Sequence, residues 1–533
     1  MTFDDLSLED LVNRKQTFAF STEFAEITKN LKLGVWKVDE SIGLYHSSLK
    51  IYACPIPVLP VALYRNDETG QEKVQLKFFK FKKWHSITVE RKQIASKSAI
   101  INLANDGIEV SEDNAHNLVK ALNEIIAASL ETIPTYRTKS CLGWHEGQFL
   151  PYSKEVIYDE SKEYGDLYNA VSERGTLDEW CGYMKKLRKN KVFRLMLAAS
   201  FASPLVEIVG QNPFILHLWG LTSIGKTVSL MAAMSVWGNP EVGRMVRTLN
   251  MTTNAMLQTA AFLKNLPFAA DELETIKSSF VDYNQLIMQL TESVNRSRMK
   301  YEQLMPLGSW RNAFIFTGEE PILKQSSGGG AKNRVIQIEC NEKIIENGNE
   351  TANFVREHYG CAGRKFIENL DKERAVNLYK DVYGDLINNF DVTDKQAGSA
   401  ALLLVADWLS SELFFPDDTE VLQLDTVARY LSSQKEVDPA EQAYQLTLDL
   451  ITEHNRNFTP DAIDCWGLIS GGRCYFINSV LTRELDRLGF DLNAVKSAWA
   501  ERGYLVKSDT GRYRYLKRIC DATISCTCVV LPE

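Results

Sequence analysis

The chain has 533 residues, a net charge of −9, 45% hydrophobic and 24% charged residues. That balance is ordinary for a globular protein with room for about three or four domains. It excludes a uniformly basic nucleic-acid coat, although one basic channel or domain stays open. No apolar run looks long enough to span a bilayer, and the acidic start MTFDDLSLEDLVNRK is unlike a signal sequence. The ten cysteines are scattered, which points to reduced thiols and a cytoplasmic location with no membrane partner.

Taken in order, residues 1 to about 50 offer a short acidic helix and then alternating segments such as LGVWKVDESIGLYH. The tracts Val61–Tyr64 and Lys73–Phe81, joined by Asn66-Asp67-Glu68-Thr69-Gly70, predict a β-hairpin. Lys77, Lys80, Lys82, Lys83 and Lys92 interleave with Phe78, Phe79, Phe81 and Trp84, a composition suited to stacking single-stranded DNA. Alternation alone favours the plainer reading, an amphipathic strand with a solvated lysine face. SEDNAHNLVKALNEIIAASLETIP predicts a capped amphipathic helix, and short strands follow around Gly143-Trp144. From Thr176 a helical tract is expected to break at Pro204, with its KKLRKNK run as a solvated face.

The run from Phe214 to Trp219 reads as a buried parallel strand. It leads into Gly220-Leu221-Thr222-Ser223-Ile224-Gly225-Lys226-Thr227 and then an apolar helix, so a G-x-x-x-x-G-K-T loop stands between strand and helix. Glycines let such a backbone curl until its N–H groups face a polyphosphate, and the helix N-terminus adds its positive end. Lys226 would reach the β- and γ-phosphates and the Thr227 hydroxyl would ligate Mg²⁺. The expected ATP-binding set is Gly220, Thr222, Ser223, Ile224, Gly225, Lys226, Thr227 and Val228.

Downstream, the apolar strand of Asn265-Leu266-Pro267-Phe268-Ala269-Ala270 ends in Asp271-Glu272. Asp271 suits the magnesium shell and Glu272 the polarisation of water. SSFVDYNQLIMQLTESVNRSRMKYEQLMP predicts a helix running into Arg296, Arg298 and Lys300. A third strand ends at Thr317, where a γ-phosphate sensor would be held. A flexible Ser-Gly loop then precedes Arg334 at the start of a fourth strand. An arginine on such an edge suits an arginine finger for a neighbour's nucleotide; a surface ion pair is the alternative.

The order GLTSIGKT, LPFAADELE, FIFTGEEPI and GGGAKNRVI, preceded by ALYRNDETGQEKVQLKF and KSCLGWHEG, resembles the domain-of-unknown-function family 927 over roughly residues 55 to 410. That family includes helicases of staphylococcal cassette chromosomes and replication proteins of pathogenicity islands and phages. The resemblance implies an AAA+ core of the minichromosome-maintenance-like branch, a hexameric ring moving on DNA with ATP hydrolysed at subunit boundaries. By position it gives Gly220, Gly225, Lys226 and Thr227 the Walker A role and Asp271 and Glu272 Walker B. Thr317 becomes sensor 1 and Arg334 the trans finger. The family's glycine- and lysine-rich segment before the sensor strand is here Ser293-Val294-Asn295-Arg296-Ser297-Arg298, so Arg296 and Arg298 could face DNA, nucleotide or a neighbouring subunit.

Residues 342 to about 450 read as helices, the lid of such a core, with Lys395 either a second sensor or a plain surface lysine. From about 455, two helices and a hairpin around Asp509-Thr510-Gly511 predict a winged helix, and Lys496, Arg512 and Arg514 are its candidate DNA contacts. ISCTCVVL reads as a closing strand, and Cys465, Cys474, Cys520, Cys526 and Cys528 lack zinc-ligand spacing.

The expected α/β architecture is therefore a β-rich N-terminal domain over 1–175 with a candidate single-strand DNA contact, an AAA+ P-loop core over 176–345, a helical lid over 346–450 and a winged-helix domain over 455–533. The expected function is an ATP- and Mg²⁺-dependent DNA helicase or translocase in replication of a mobile genetic element. An origin-binding initiator and an ATP-regulated assembly protein are the alternatives.

Overall fold

The protein is described by a computed structural model covering residues 23–49, 51–159, 164–248, 250–272, 282–294, 299–300, 303–304, 308–324, 327–418, 420–459, 462–508, 511–519 and 522–532. The expected acidic helix at the start of the chain lies outside these residues. Two compact units divide the chain, Met1–Glu163 and Tyr164–Glu533.

In the first unit, Trp36–Asp39 (β1), Gly43–His46 (β2) and Tyr52–Cys54 (β3) form one antiparallel sheet. Val58–Asn66 (β4), Glu72–Lys80 (β5) and Lys83–Glu90 (β6) form an antiparallel meander. The β4–β5 turn is set by Asn66, whose Oδ1 accepts the N–H groups of Glu68 (2.9 Å) and Thr69 (3.0 Å). Alternation along β5 turns Val74, Leu76 and Phe78 into the core against the helix Glu112–Ser129 (α1), which Ser111 and Asn114 cap reciprocally. Thr135–Lys139 (β7) runs parallel to β4, Gly143–His145 (β8) pairs with Gln148–Leu150 (β9), and Val156–Tyr158 (β10) closes the sheet beside β7. β5 buries both Phe78 and Phe79, so neither ring is open for stacking.

The second unit begins with Leu177–Leu187 (α2) and Lys191–Ile208 (α3). The expected break at Pro204 does not occur. Proline lacks the N–H that would bond the Ser200 carbonyl, but the Trp237 indole N–H donates to that oxygen at 3.3 Å and α3 continues. The chain breaks instead at 188–190, where Asn190 caps α3 by accepting from the N–H groups of Val192 and Phe193.

The five-stranded sheet of this unit is wholly parallel: Phe214–Gly220 (β11), Val246–Thr248 (β12), Phe268–Asp271 (β13), Ala313–Gly318 (β16) and Val335–Cys340 (β17), in the order β12-β13-β16-β11-β17. Between them lie the helices Lys226–Met234 (α4), Thr253–Leu263 (α5), Tyr283–Thr291 (α6) and Gly329–Lys332 (α7), and the small hairpin of Met299–Lys300 (β14) with Gln303–Leu304 (β15). The long helix expected across 278–306 is thus only α6 among the described residues. Its last turn is capped by the Trp310 indole, which donates to the Leu290 carbonyl at 2.6 Å, and Ser293 then turns left-handed. The Ser-Gly loop before Arg334 contains the one-turn helix α7.

Gly348–Glu357 (α8), Cys361–Glu368 (α9), Lys372–Asn389 (α10) and Asp394–Phe414 (α11) follow. The ANFVREHYGCAGRKFIENL tract is two helices, because Tyr359 leaves the first to bridge the backbone of Arg174. Contrary to the reading that no apolar run is long enough, α11 could cross a bilayer by length and composition; 72% of its apolar window is buried within the protein.

α11 packs on α3 through a buried charge cluster. Arg194 donates from Nε and Nη2 to the two Asp407 oxygens at 2.7 and 2.9 Å. Arg188 reaches Asp407 at 3.3 Å and Asp418 at 3.1 Å. Arg188 belongs to KKLRKNK, so that run is not wholly a solvated face: one of its cations is buried.

The chain ends in Pro439–Glu453 (α12), Gly467–Ser470 (β18), Arg473–Ile477 (β19), Asn478–Arg487 (α13), Leu492–Glu501 (α14), Tyr515–Ile519 (β20) and Ala522–Val530 (β21), with sheet order β18-β19-β21-β20. Phe476, Leu481, Leu485, Leu492 and Trp499 form its core. A turn does close near 508–512, but Val506 before it donates to Cys528 of β21, and the paired strands are β20 and β21 further on. Asp509 and Thr510 of the expected hairpin lie outside the described residues. Cys474, Cys526 and Cys528 are buried in this sheet, and burial pushes all three thiols up, Cys526 to about 11. Cys520 lies outside the described residues.

Two stability predictions follow from buried charge. Replacing Asp407 with Ala takes from the buried Arg194 its bidentate carboxylate and leaves the buried Arg188 with Asp418 as its remaining carboxylate, and urea unfolding should report a loss of about 3–5 kcal/mol. His217 on β11 is fully buried, its Nδ1 facing the Ile322 N–H at 3.4 Å, and burial drives its imidazole down to about 3. The unfolded chain therefore binds a proton near pH 6.5 that the folded chain refuses. This neutral histidine should cost nothing above pH about 6.5 and, as pH falls toward 4, about 1.4 kcal/mol of stability per pH unit. A His217→Asn variant should lack that component of the slope.

Candidate functional site: the loop after β11

The site grows from the carboxyl end of β11, the strand at which the sheet order reverses, where ligands of open α/β sheets bind. Gly220 leaves the strand at φ +138, and a Cβ there would lie 2.2 Å from the Cys340 carbonyl oxygen. Gly225, at φ +96, caps α4, where a Cβ would meet Ile345 at 3.0 Å. Between them Ser223 is also left-handed, at φ +65. The Ile344 N–H donates to the Ile224 carbonyl at 2.9 Å and ties the loop to the chain leaving β17. A curl of backbone is thereby held open at a helix N-terminus, the arrangement that binds anions.

Lys226 heads α4, and its Nζ donates to the carbonyls of Gly220 (2.8 Å) and Leu221 (2.7 Å). Its ammonium thus lies across the loop it would share with a phosphate. Thr222 and Ser223 are exposed, Ile224 is buried, and Thr227 and Val228 are half-buried in the first turn of α4. The Thr222 hydroxyl donates to Glu319 Oε1 at 3.0 Å.

The neighbouring strands bring the carboxylates to the same end. Leu218 lies opposite Thr317 of β16, and Ala270 of β13 lies opposite Phe316, so Asp271 and Thr317 come together. Both are buried, and the Thr317 hydroxyl donates to Asp271 Oδ1. Glu272 follows, exposed and left-handed at φ +60. A glutamate held in that backbone region is strained, and such strain collects at functional sites. An anion cradle, a lysine, a threonine at the head of α4 and a buried aspartate with a hydroxyl partner suit a magnesium-bound triphosphate by donor chemistry.

Arg334 is elsewhere. Its carbonyl accepts from Ile215 at the amino end of β11, and Gly220 lies opposite Cys340, six residues further along β17. At the rise of a strand that separates it from the loop by roughly 20 Å. Its Nη1 donates to the Gly330 carbonyl at 2.6 Å, and partial burial lowers its pKa against the opposing pull of Glu292. Lys395, exposed in the first turn of α11, sits close enough for Arg334 to add to the lowering that burial causes.

Of the candidate DNA contacts, Arg296 and Arg298 lie outside the described residues, and Lys300 is on β14 of the small hairpin. Lys496 on α14 is half-buried and its ammonium is lowered by burial, whereas Arg512 and Arg514 are exposed between α14 and β20. Two residues near the loop escaped the sequence reading. Glu319 is visible in the sequence only as the first of a Glu pair behind β16, and His217 is hidden in an apolar run.

A family model for the domain of unknown function DUF927 matches residues 29–302, and one described as the Cch helix turn helix domain matches residues 438–533. No curated protein matches the chain. A solved structure titled "SCCmec type IV Cch - active helicase" shares the fold, with a TM-score of 0.74 at 18% identity over 94% of this chain and 98% of that one. Another, titled "The A form apo structure of NrS-1 C terminal region-CTR", reaches a TM-score of only 0.31 at 11% identity, over 88% of this chain and 96% of that one. The first match spans just over half of the sequence, and the chain belongs to the DUF927 family.

Proposed function

We propose that this protein is an ATP-dependent DNA helicase or translocase that acts as a ring, a hexamer, in the cytoplasm during replication of a mobile genetic element. The observation that carries the reading is the Gly220–Thr227 loop, curled open at the carboxyl end of β11 beside the Asp271–Thr317 pair. In this reading the β12-β13-β16-β11-β17 sheet is an AAA+ core, residues 346–450 are its lid, and residues 455–533 form a winged helix.

The loop backbone from Gly220 to Val228 and the Lys226 ammonium hold the triphosphate, and Thr227 and Asp271 hold Mg²⁺. Bound magnesium would neutralise charge on the β- and γ-phosphates. Glu272 orients the attacking water, and Thr317 aligns it while keeping Asp271 in place. Arg334 lies too far along β17 to serve its own loop, which supports its reaching the pocket of an adjacent copy. Lys300 of the β14–β15 hairpin, with Arg296 and Arg298 before it in the sequence, contacts single-stranded DNA in the channel. The fold shared with a structure titled as an active helicase supports the same reading.

A second reading, a replication initiator that recognises origin duplex, is favoured by the match of residues 438–533 to a helix-turn-helix domain. Its DNA contacts would be Lys496, Arg512 and Arg514, and its ATPase would drive assembly and melting.

Lys226→Ala should abolish ATP hydrolysis. Arg334→Ala should retain nucleotide binding and lose hydrolysis by about a thousandfold or more. Mixing the two variants should restore part of the activity at hybrid boundaries, and no restoration would place the finger elsewhere. On a forked duplex, the full chain with ATP should displace a strand. ATP turnover and ring assembly without displacement would favour an ATP-regulated assembly protein, and sequence-specific footprinting of duplex without displacement would favour the initiator.

A further inference from the structure

The turn between β5 and β6 combines backbone strain with an aromatic ring held in water. Lys80 pairs with Lys83, leaving a two-residue turn of Phe81 and Lys82, both left-handed at φ +51 and +62. Such turns favour Asn-Gly, because L side chains with a Cβ crowd the following carbonyl in that conformation. The strain is not offset by burial: Phe81 is 82% exposed, whereas Phe78 and Phe79 beside it are 4% and 7% exposed. A strained position carrying a large apolar group outward is the pattern of a contact residue.

The surroundings of the ring select the ligand. Lys82 and Lys83 are exposed on the turn, and Lys80 places its ammonium 5.4 Å from the centroid of the Phe81 ring while bonding Glu109 and the Gly107 carbonyl. Positive charge around a bare ring fits a polyanion whose units carry exposed π-faces. Single-stranded nucleic acid has both, whereas in a duplex the base faces are already stacked. We infer that the β5–β6 tip binds single-stranded nucleic acid, with Phe81 stacking on an unpaired base and Lys82 and Lys83 meeting its phosphates. This site is separate from the β11 loop and does not depend on the ATPase reading.

The test measures binding of fluorescently labelled oligo(dT) and of a duplex of equal length to the full chain, without nucleotide. Phe81→Ala should weaken oligo(dT) binding by about fivefold or more and leave duplex binding unaffected. Phe81→Trp should preserve or tighten it. Replacing Lys82 and Lys83 with Ala should flatten its salt dependence. Phe81→Gly should lose the same affinity while the melting temperature holds or rises, since glycine relieves the left-handed strain; this separates a lost contact from a damaged fold. Unchanged oligo(dT) affinity in the Ala and Gly variants, or an equal loss for duplex, would overturn the inference. Because ATP is absent, either outcome is distinguishable from failure of the Lys226 and Arg334 experiments.

Discussion

Where β11 becomes the loop, the backbone of Gly220 passes so close to the Cys340 carbonyl that no side-chain carbon fits between them. The contact works from both sides. β17 must end at Cys340, alongside Gly220, for the approach to occur, and the following chain then lets Ile344 clamp Ile224 and Ile345 crowd Gly225. The shape of the anion cradle is thus imposed by the last strand of the sheet, more than a hundred residues downstream. An equivalent loop in an isolated peptide would have no reason to stay open, since its left-handed residues would relax.

Holding that sheet in place is the task of α3 and α11, and charge does part of the work. Both helices are buried over most of their surfaces, so apolar packing alone gives them little preference for one rotation over another. The Arg194–Asp407 pair has two parallel hydrogen bonds and fixes the facing register, and Arg188 extends the same cluster to the start of α3. Such clusters add little net stability relative to well-packed apolar residues, but they penalise every misregistered arrangement heavily.

What was legible in the sequence depended on how local its cause was. The strands β11, β13 and β16 announce themselves as apolar runs ending in Gly or Asp, and the phosphate-loop spacing needs no tertiary information. β12 is three residues long and carries no period, so it went unread. Pro204 reads as a helix end because its rescue, the Trp237 indole, comes from the turn after α4, and α6 stops early because Trp310 caps it from beyond. The buried role of Arg188 was equally hidden, since its partners lie about 220 residues away. Local backbone structure was legible wherever a motif fixed it, and hidden wherever a distant side chain decided.

The separation of Arg334 from the β11 loop has a consequence for how the site can be complete. A parallel sheet puts all strand carboxyl ends on one edge and all amino ends on the other, and Arg334 is at the start of β17. No rotamer brings its guanidinium to Lys226 across roughly 20 Å of strand. Partial burial also lowers its pKa, so desolvation works against its positive charge. Glu292 opposes that lowering, and Arg334 in turn adds to the lowering of the nearby Lys395 that burial causes. Two cations gathered on an edge remote from the cradle are better satisfied by an anion arriving from outside the subunit. In the proposed ring, head-to-tail contact between copies would supply one, because it would set the amino edge of one sheet against the carboxyl edge of the next, and a contact of that kind closes into a ring when its rotation permits.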